Sequence, residues 1–109
     1  MSDPVLELAT IKLAPSSSEQ DLLAASAAFQ NAFLDHQDGF IRRDMVRKAD
    51  GTYLDVILWR SRADADAVFE RAQESEAVGQ YFGHMQIDPE STDSGVEHCT
   101  LLSSFAAKG

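Results

Sequence analysis

The sequence is short of basic residues, cysteine, glycine-rich runs and long apolar stretches, and each shortage removes a class of function. Lys and Arg number 9 against 18 Asp and Glu in 109 residues, a net charge of -9. Nucleic-acid binding requires clustered cations to neutralise phosphates, so no nucleic-acid partner is expected. An anionic membrane surface is disfavoured on the same ground, and the charge reads as a solubility feature. Cys99 is the one cysteine; it permits no disulfide within the chain and suits the cytoplasm. The opening MSDPVLELAT has no basic segment and no long apolar run, so no secretory leader is expected. Apolar runs stay far below the ~20 residues of a membrane helix.

Catalytic motifs are equally sparse. No glycine-rich phosphate cradle is present, since Gly79 and Gly83 stand isolated on a helical stretch. His36, His84 and His98 include no pair at the i, i+4 spacing of two ligands on one helix face, so no metal is expected. No serine sits in a nucleophile-elbow context. Cys99 lies between His98 and Thr100 in a strand-like run; neighbours in a strand face opposite ways, so the expectation is an inert buried thiol.

What is present is a regular alternation of elements in one domain, residues 1–109. Val5 to Leu13 (VLELATIKL) is apolar and β-branched and reads as a first strand. Ser16-Ser17-Ser18 supplies caps for a helix, with Ser17/Gln20 or Ser16/Glu19 as the capping box. That helix carries Leu22, Ser26, Phe29 and Phe33 on one face with Leu23 and Leu34 beside them, and Asp38-Gly39 stops it. Phe40 to Ala49 and Thr52 to Ser61 flank Asp50-Gly51, a strong hairpin signal. Ser61 and Asp64 open a second helix with Ala65, Val68, Phe69 and Ala72 on its apolar face. Glu76 to Met85 forms a short helical piece with Val78, Tyr81 and Phe82. A loop through Asp88-Pro89 to Gly95 then leads to a last strand, Val96 to Phe105. The order β-α-β-β-α-β predicts an α+β, ferredoxin-like sandwich: an antiparallel sheet with its helices on one face.

A two-residue turn at Asp50-Gly51 places Ala49 opposite Thr52. One face of the hairpin then carries Phe40, Arg42, Asp44, Val46, Tyr53, Asp55, Ile57 and Trp59; the other carries Ile41, Arg43, Met45, Leu54, Val56 and Leu58. Both faces are apolar, whereas a sheet with one wet face alternates. Two helices cover one face only, so a homodimer closed over the second is expected.

On the first face Tyr53, Asp55 and Trp59 point the same way, with Arg42 opposite Trp59 in cation–π position. Together with Phe29 and Phe33 they outline a pocket for a small apolar or aromatic molecule, Asp55 and Arg42 being its polar handles. The competing reading makes the aromatic residues core and pairs Asp55 with Arg42 or Lys48 across the hairpin. His84, in YFGHM, becomes an acid or base if it faces that pocket.

The opening VLELATIKL, the helix after it, GFIRRDMVRKADGTYLDVILWRS and the Ala-rich helix with its aromatic tail resemble the antibiotic-biosynthesis-monooxygenase-like proteins of the dimeric α+β barrel superfamily. The resemblance spans nearly the whole chain. It implies a ferredoxin-like protomer whose sheet packs on its mate's to close a barrel, with a cavity between sheet and helices. Some members oxidise polycyclic aromatic substrates with oxygen and no metal or flavin, using an Asn four residues before a Trp near the end of strand three. Asp55 and Trp59 hold that spacing here, with Asp in place of the amide. Haem-degrading relatives use an Asn on strand one and a His about ten residues after the Trp. This chain has no Asn on strand one and Phe69 at the latter place, so haem degradation is not expected. The function that follows is a small-molecule-binding dimer acting as a cofactor-independent monooxygenase, with Trp59 stacking the substrate, Asp55 as base or hydrogen-bond acceptor, and Arg42 or His84 steadying negative charge. The alternative is a non-catalytic ligand-binding or structural module.

Overall fold

A Gly at the third loop position, rather than the second, decides how this chain is put together. A computed structural model of the protein describes residues 3–86 and 95–108. Strand β2 (Phe40–Arg47) and strand β3 (Tyr53–Trp59) form the expected hairpin. Its loop, however, has three residues: Lys48 N donates to Thr52 O at 2.8 Å, Gly51 N donates to Lys48 O at 3.0 Å, and Arg47 lies opposite Tyr53. Gly51 sits at φ +88°, the left-handed conformation that closes a three-residue hairpin loop. Ala49 therefore does not pair with Thr52. A one-residue change of register turns every side chain of a strand over, so Arg43 and Met45 join Tyr53, Asp55 and Ile57, while Arg42, Asp44 and Val46 join Leu54, Val56 and Leu58. An irregularity between Phe40 and Arg42 restores Phe40 to its place opposite Trp59.

The remaining elements are β1 (Val5–Ile11), α1 (Glu19–Ala32), a 3-10 turn (Leu34–His36), α2 (Arg62–Ala72), α3 (Glu76–Phe82) and β4 (Val96–Thr100). The sheet order is β2-β3-β1-β4 with every neighbouring pair antiparallel, the split βαβ topology. Strand β1 stops at Ile11, and Leu13 makes only an isolated bridge to Met85. Strand β4 stops at Thr100, opposite Val5, because β1 starts there and Pro4 has no N–H to continue the ladder. Leu101 N instead donates to Pro4 O at 2.9 Å. The expected loop from Asp88 falls outside the described residues apart from Gly95.

The capping box of α1 is one residue later than expected. Ser18 Oγ accepts from Asp21 N at 3.1 Å and Asp21 Oδ2 accepts from Ser18 N at 2.9 Å, a start that turns Leu22, Ser26 and Phe29 inward. Leu23 and Phe69 are 49% and 70% exposed, so the buried stripes of α1 and α2 are narrower than the sequence suggested. The core lies between helices and sheet, with Trp59, Tyr81, Leu22 and Leu34 fully buried. No helix among the described residues is long and apolar enough to cross a membrane.

Gly39 ties the hairpin to α2. It has φ +83°, and a Cβ there would run into the Asp64 side chain, which accepts from Arg60 Nε and Ser61 Oγ at 2.9 Å each. Gly51 has the same backbone sign but open space around it. Gly51→Ala is expected to cost about 1–2 kcal/mol, the left-handed penalty alone, and Gly39→Ala clearly more. Chemical denaturation of the two variants checks this; equal costs would mean Asp64 yields freely.

Candidate functional site

Inward rotation of Arg43 fills the space between sheet and helices with charge. Its Nε donates to Asp55 Oδ1 at 2.8 Å and its Nη2 to Asp55 Oδ2 at 3.1 Å, a bidentate pair whose side chains are 6% and 4% exposed. The same guanidinium reaches α1, donating to Ser26 Oγ at 2.7 Å and Ser26 O at 3.2 Å. It also donates to Tyr81 Oη on α3 at 3.0 Å. Tyr81 Oη in turn donates to Asp55 Oδ2 at 2.8 Å. The Arg43 cation lies 4.9 Å from the Phe29 ring centre and 5.3 Å from that of Tyr81, which are cation–π distances.

Burial works against the Arg43 charge, but the Asp55 hydrogen bonds and charge outweigh it, so Arg43 holds its proton more tightly than usual. Burial first, then the Asp55 charge, push the Tyr81 phenol well above its usual value. Because the fold binds this proton more tightly, its stabilising contribution is complete below the unfolded pKa of about 10 and is lost as pH rises beyond it. Tyr81→Phe is therefore expected to flatten the alkaline loss of stability above about pH 10, read from urea midpoints at successive pH values. An unchanged alkaline limb would show that Tyr81 ionises freely in the native protein.

The other residues singled out in the sequence divide cleanly. Phe29 stacks on Phe33 and on Tyr81, with ring centres 5.9 and 4.9 Å apart. Trp59 is 1% exposed and meets Phe40 edge-on at 5.8 Å. Tyr53 is buried on the same face but donates its hydroxyl to Glu19 Oε1 at 2.9 Å. Arg42 is on the opposite face, paired with Asp44 at 2.8 Å, so neither the Arg42–Trp59 contact nor an Arg42–Asp55 pair forms. His84 closes the end of α3 onto the β1–α1 connection: its Nδ1 lies 2.8 Å from Ser17 Oγ and its carbonyl accepts from Ala14 N. It is not joined to the Asp55 cluster.

Sequence reasoning missed Arg43, Ser26 and the polar end of Tyr81. It also passed over Glu7, although period two places it inward with Val5, Ala9 and Ile11. Glu7 lies opposite Ile57 and His98, and its Oε1 is 3.1 Å from His98 Nε2. Burial raises the Glu7 carboxyl above the usual carboxylate range, with the His98 hydrogen bond and charge pulling it partly back. The Trp59 indole N–H is buried and favours the charged form of Glu7.

No protein-family model matches the chain, and no curated protein matches its sequence. Solved structures do match. Over 94% of this chain and 100% of the other, it superposes with TM-score 0.73 and 19% identity on a Bordetella bronchiseptica protein described as an antibiotic biosynthesis monooxygenase. SnoaB, a cofactor-independent oxygenase from Streptomyces nogalater, matches with TM-score 0.67 and 14% identity over 96% of this chain and 97% of its own. The hydroxynitrile lyase of Passiflora edulis matches with TM-score 0.67 and 14% identity over 97% and 100%. The chain has the antibiotic biosynthesis monooxygenase-like fold. Within that fold, the space between sheet and helices holds the Arg43–Asp55–Tyr81 cluster, in the core to which Trp59 also belongs. Such a fold hosts more than one chemistry, since an oxygenase and a lyase share it here.

Proposed function

We propose that the protein is an antibiotic-biosynthesis-monooxygenase-like enzyme, a homodimer that binds a small aromatic molecule against Trp59 and oxidises it with oxygen, without metal or flavin. The observation that carries this reading is the charged cluster Arg43–Asp55–Tyr81, sealed against the Phe29 and Tyr81 rings in the core that also holds Trp59. A buried ion pair contributes little stability that a well-packed apolar group would not match. Placed against an aromatic ligand, however, a fixed guanidinium stabilises an anion on a phenol or enol in a low-dielectric site. Arg43 takes the anion-steadying role expected of Arg42 or His84, and Trp59 stacks the ring.

The dimer follows from the opposite face. Leu6, Leu8, Leu54, Val56 and Leu58 line it, half-buried in the lone chain, and Leu102 and Phe105 of the tail are 90% and 94% exposed. A shallow groove there is bordered by Leu6, Val56, Leu58 and Leu101 together with Arg42 and Asp44. A second copy related by a two-fold axis covers this surface.

One observation favours a second reading, a non-catalytic module: every carboxylate oxygen of Asp55 is already bonded to Arg43 or Tyr81. Oxygen uptake decides between them. With hydroxylated polycyclic aromatics and excess chelator, the wild type is expected to consume oxygen, and Trp59→Ala at unchanged folding to lose about tenfold or more of that rate. Ligand binding without oxygen uptake would establish the module instead.

A further inference from the structure

The tail that follows β4 has two sides. Leu101 N donates to Pro4 O at 2.9 Å, which holds the tail at the Val5 end of the sheet, where Thr100 pairs with Val5. Leu101 and Ser104 then border the groove on the outward face, beside Leu6, Val56 and Leu58. Leu102 and Phe105, the residues that alternate with them, border no part of that groove and are almost wholly open to water. From Thr100 to Ala107 the tail carries no charged side chain, in a chain of net charge -9. The groove is equally free of net charge, because Arg42 and Asp44 at its edge pair with each other at 2.8 Å. Its volume is about 190 Å³, and an apolar cavity of about 150 Å³ is enough to admit benzene. Each chain therefore carries one groove that fits a phenyl ring and one projecting phenyl ring, both on the same face.

We propose that the tails interlock two copies of this chain: Phe105 of each copy, with Leu102 beside it, enters the Leu6–Val56–Leu58 groove of the other. The interlock rests on the homodimer reading given above and names the contact that holds the dimer together. A two-fold contact needs a surface complementary to itself, so that what one copy offers the other receives in return. A projecting ring and a groove of matching size on one face meet that condition. The tail then lies as a layer between the two sheets. Leu101 and Ser104 face its own sheet, and Leu102 and Phe105 face the partner's. Its own groove cannot take Phe105, because Ser104 holds the preceding position against that sheet and the ring projects away from it. Docking an uncharged segment into an uncharged groove strips no ion of its water, so the gain in apolar burial is kept.

The test compares the wild type with Leu102→Ser/Phe105→Ser by sedimentation over a range of concentrations. Both residues lie outside the core, so circular dichroism and urea midpoints of the monomer are expected to stay unchanged, while the dimer Kd rises roughly 100-fold or more. A dimer with unchanged Kd overturns the interlock and leaves the homodimer standing. Cysteine pairing then reads where the tail lies. In a Cys99→Ser background, which removes the single native thiol, chains with Ala106→Cys are mixed with tagged chains carrying Val56→Cys and oxidised. The expected product is a covalent pair holding one chain of each kind. Mixed chains that remain dimeric in sedimentation but form no such pair also overturn the interlock. A wild type that sediments as one chain at every concentration overturns the homodimer reading, and the interlock with it.

Discussion

Arg43→Met is expected to lower the unfolding free energy by about 3–5 kcal/mol, because it strands the Asp55 carboxylate in the interior without its cation. Both side chains are nearly sealed from water, at 6% and 4% exposure, so solvent cannot replace the lost partner. A domain of this size is stable by only about 5–15 kcal/mol, and the variant is therefore expected to be half-unfolded at far lower urea. The double variant Arg43→Met/Asp55→Leu is expected to recover most of the loss. Replacing both members of a buried pair by apolar groups of similar size is often neutral or better. Urea titrations of the four proteins in the cycle measure the coupling directly. A single-variant cost below about 1 kcal/mol would show that water reaches Asp55 in the native protein.

Leu58→Glu is expected to convert a dimer into a monomer. Leu58 lies on the face away from the helices, opposite Leu6 on one side and Arg42 on the other. A two-fold axis through that face brings the new carboxylate against its own copy and against Leu6 and Val56. Burying two unpaired charges at a mainly apolar contact exceeds what a small interface can offset. Light scattering should give about twice the 11.9 kDa chain mass for the wild type and 11.9 kDa for the variant. With -9 on each chain, added salt should strengthen the wild-type dimer by screening like charges. A wild type that runs at the mass of one chain at micromolar concentration would remove the dimer altogether.

Much of this was legible beforehand, and the parts that were not share a cause. Element order, the inward faces of β3 and α1, and the shared face of Asp55 and Trp59 all follow from period two and period 3.6. The identity of the inward arginine does not, because Arg42 and Arg43 are adjacent and the hairpin loop alone selects between them. Asp50-Gly51 suits a two-residue turn, but Gly51 also serves as the left-handed third residue of a longer loop, and sequence does not separate the two. Tyr81 was read as an apolar position because its ring fits the α3 stripe, although its hydroxyl reaches Asp55. Glu7 and His98 were overlooked singly. Their meeting depends on β4 pairing beside β1, a contact 91 residues apart in sequence.

The three-residue loop also bears on how the hairpin avoids folding wrongly. Had Ala49 paired with Thr52, Arg42, Asp44 and Val46 would all point beneath the helices. Asp44 would then enter the interior with Asp55 already there, two carboxylates facing the single guanidinium of Arg42. In the native pairing Asp44 stays outside with Arg42, and the hairpin sends one acid and one base, Asp55 and Arg43, inward. The slipped hairpin is close in sequence and similar in hydrophobic content, so apolar burial discriminates weakly against it. Desolvation of the second carboxylate discriminates strongly. Neutralising this exposed aspartate on the far side of the sheet is therefore expected to make the misaligned hairpin a longer-lived competitor during refolding.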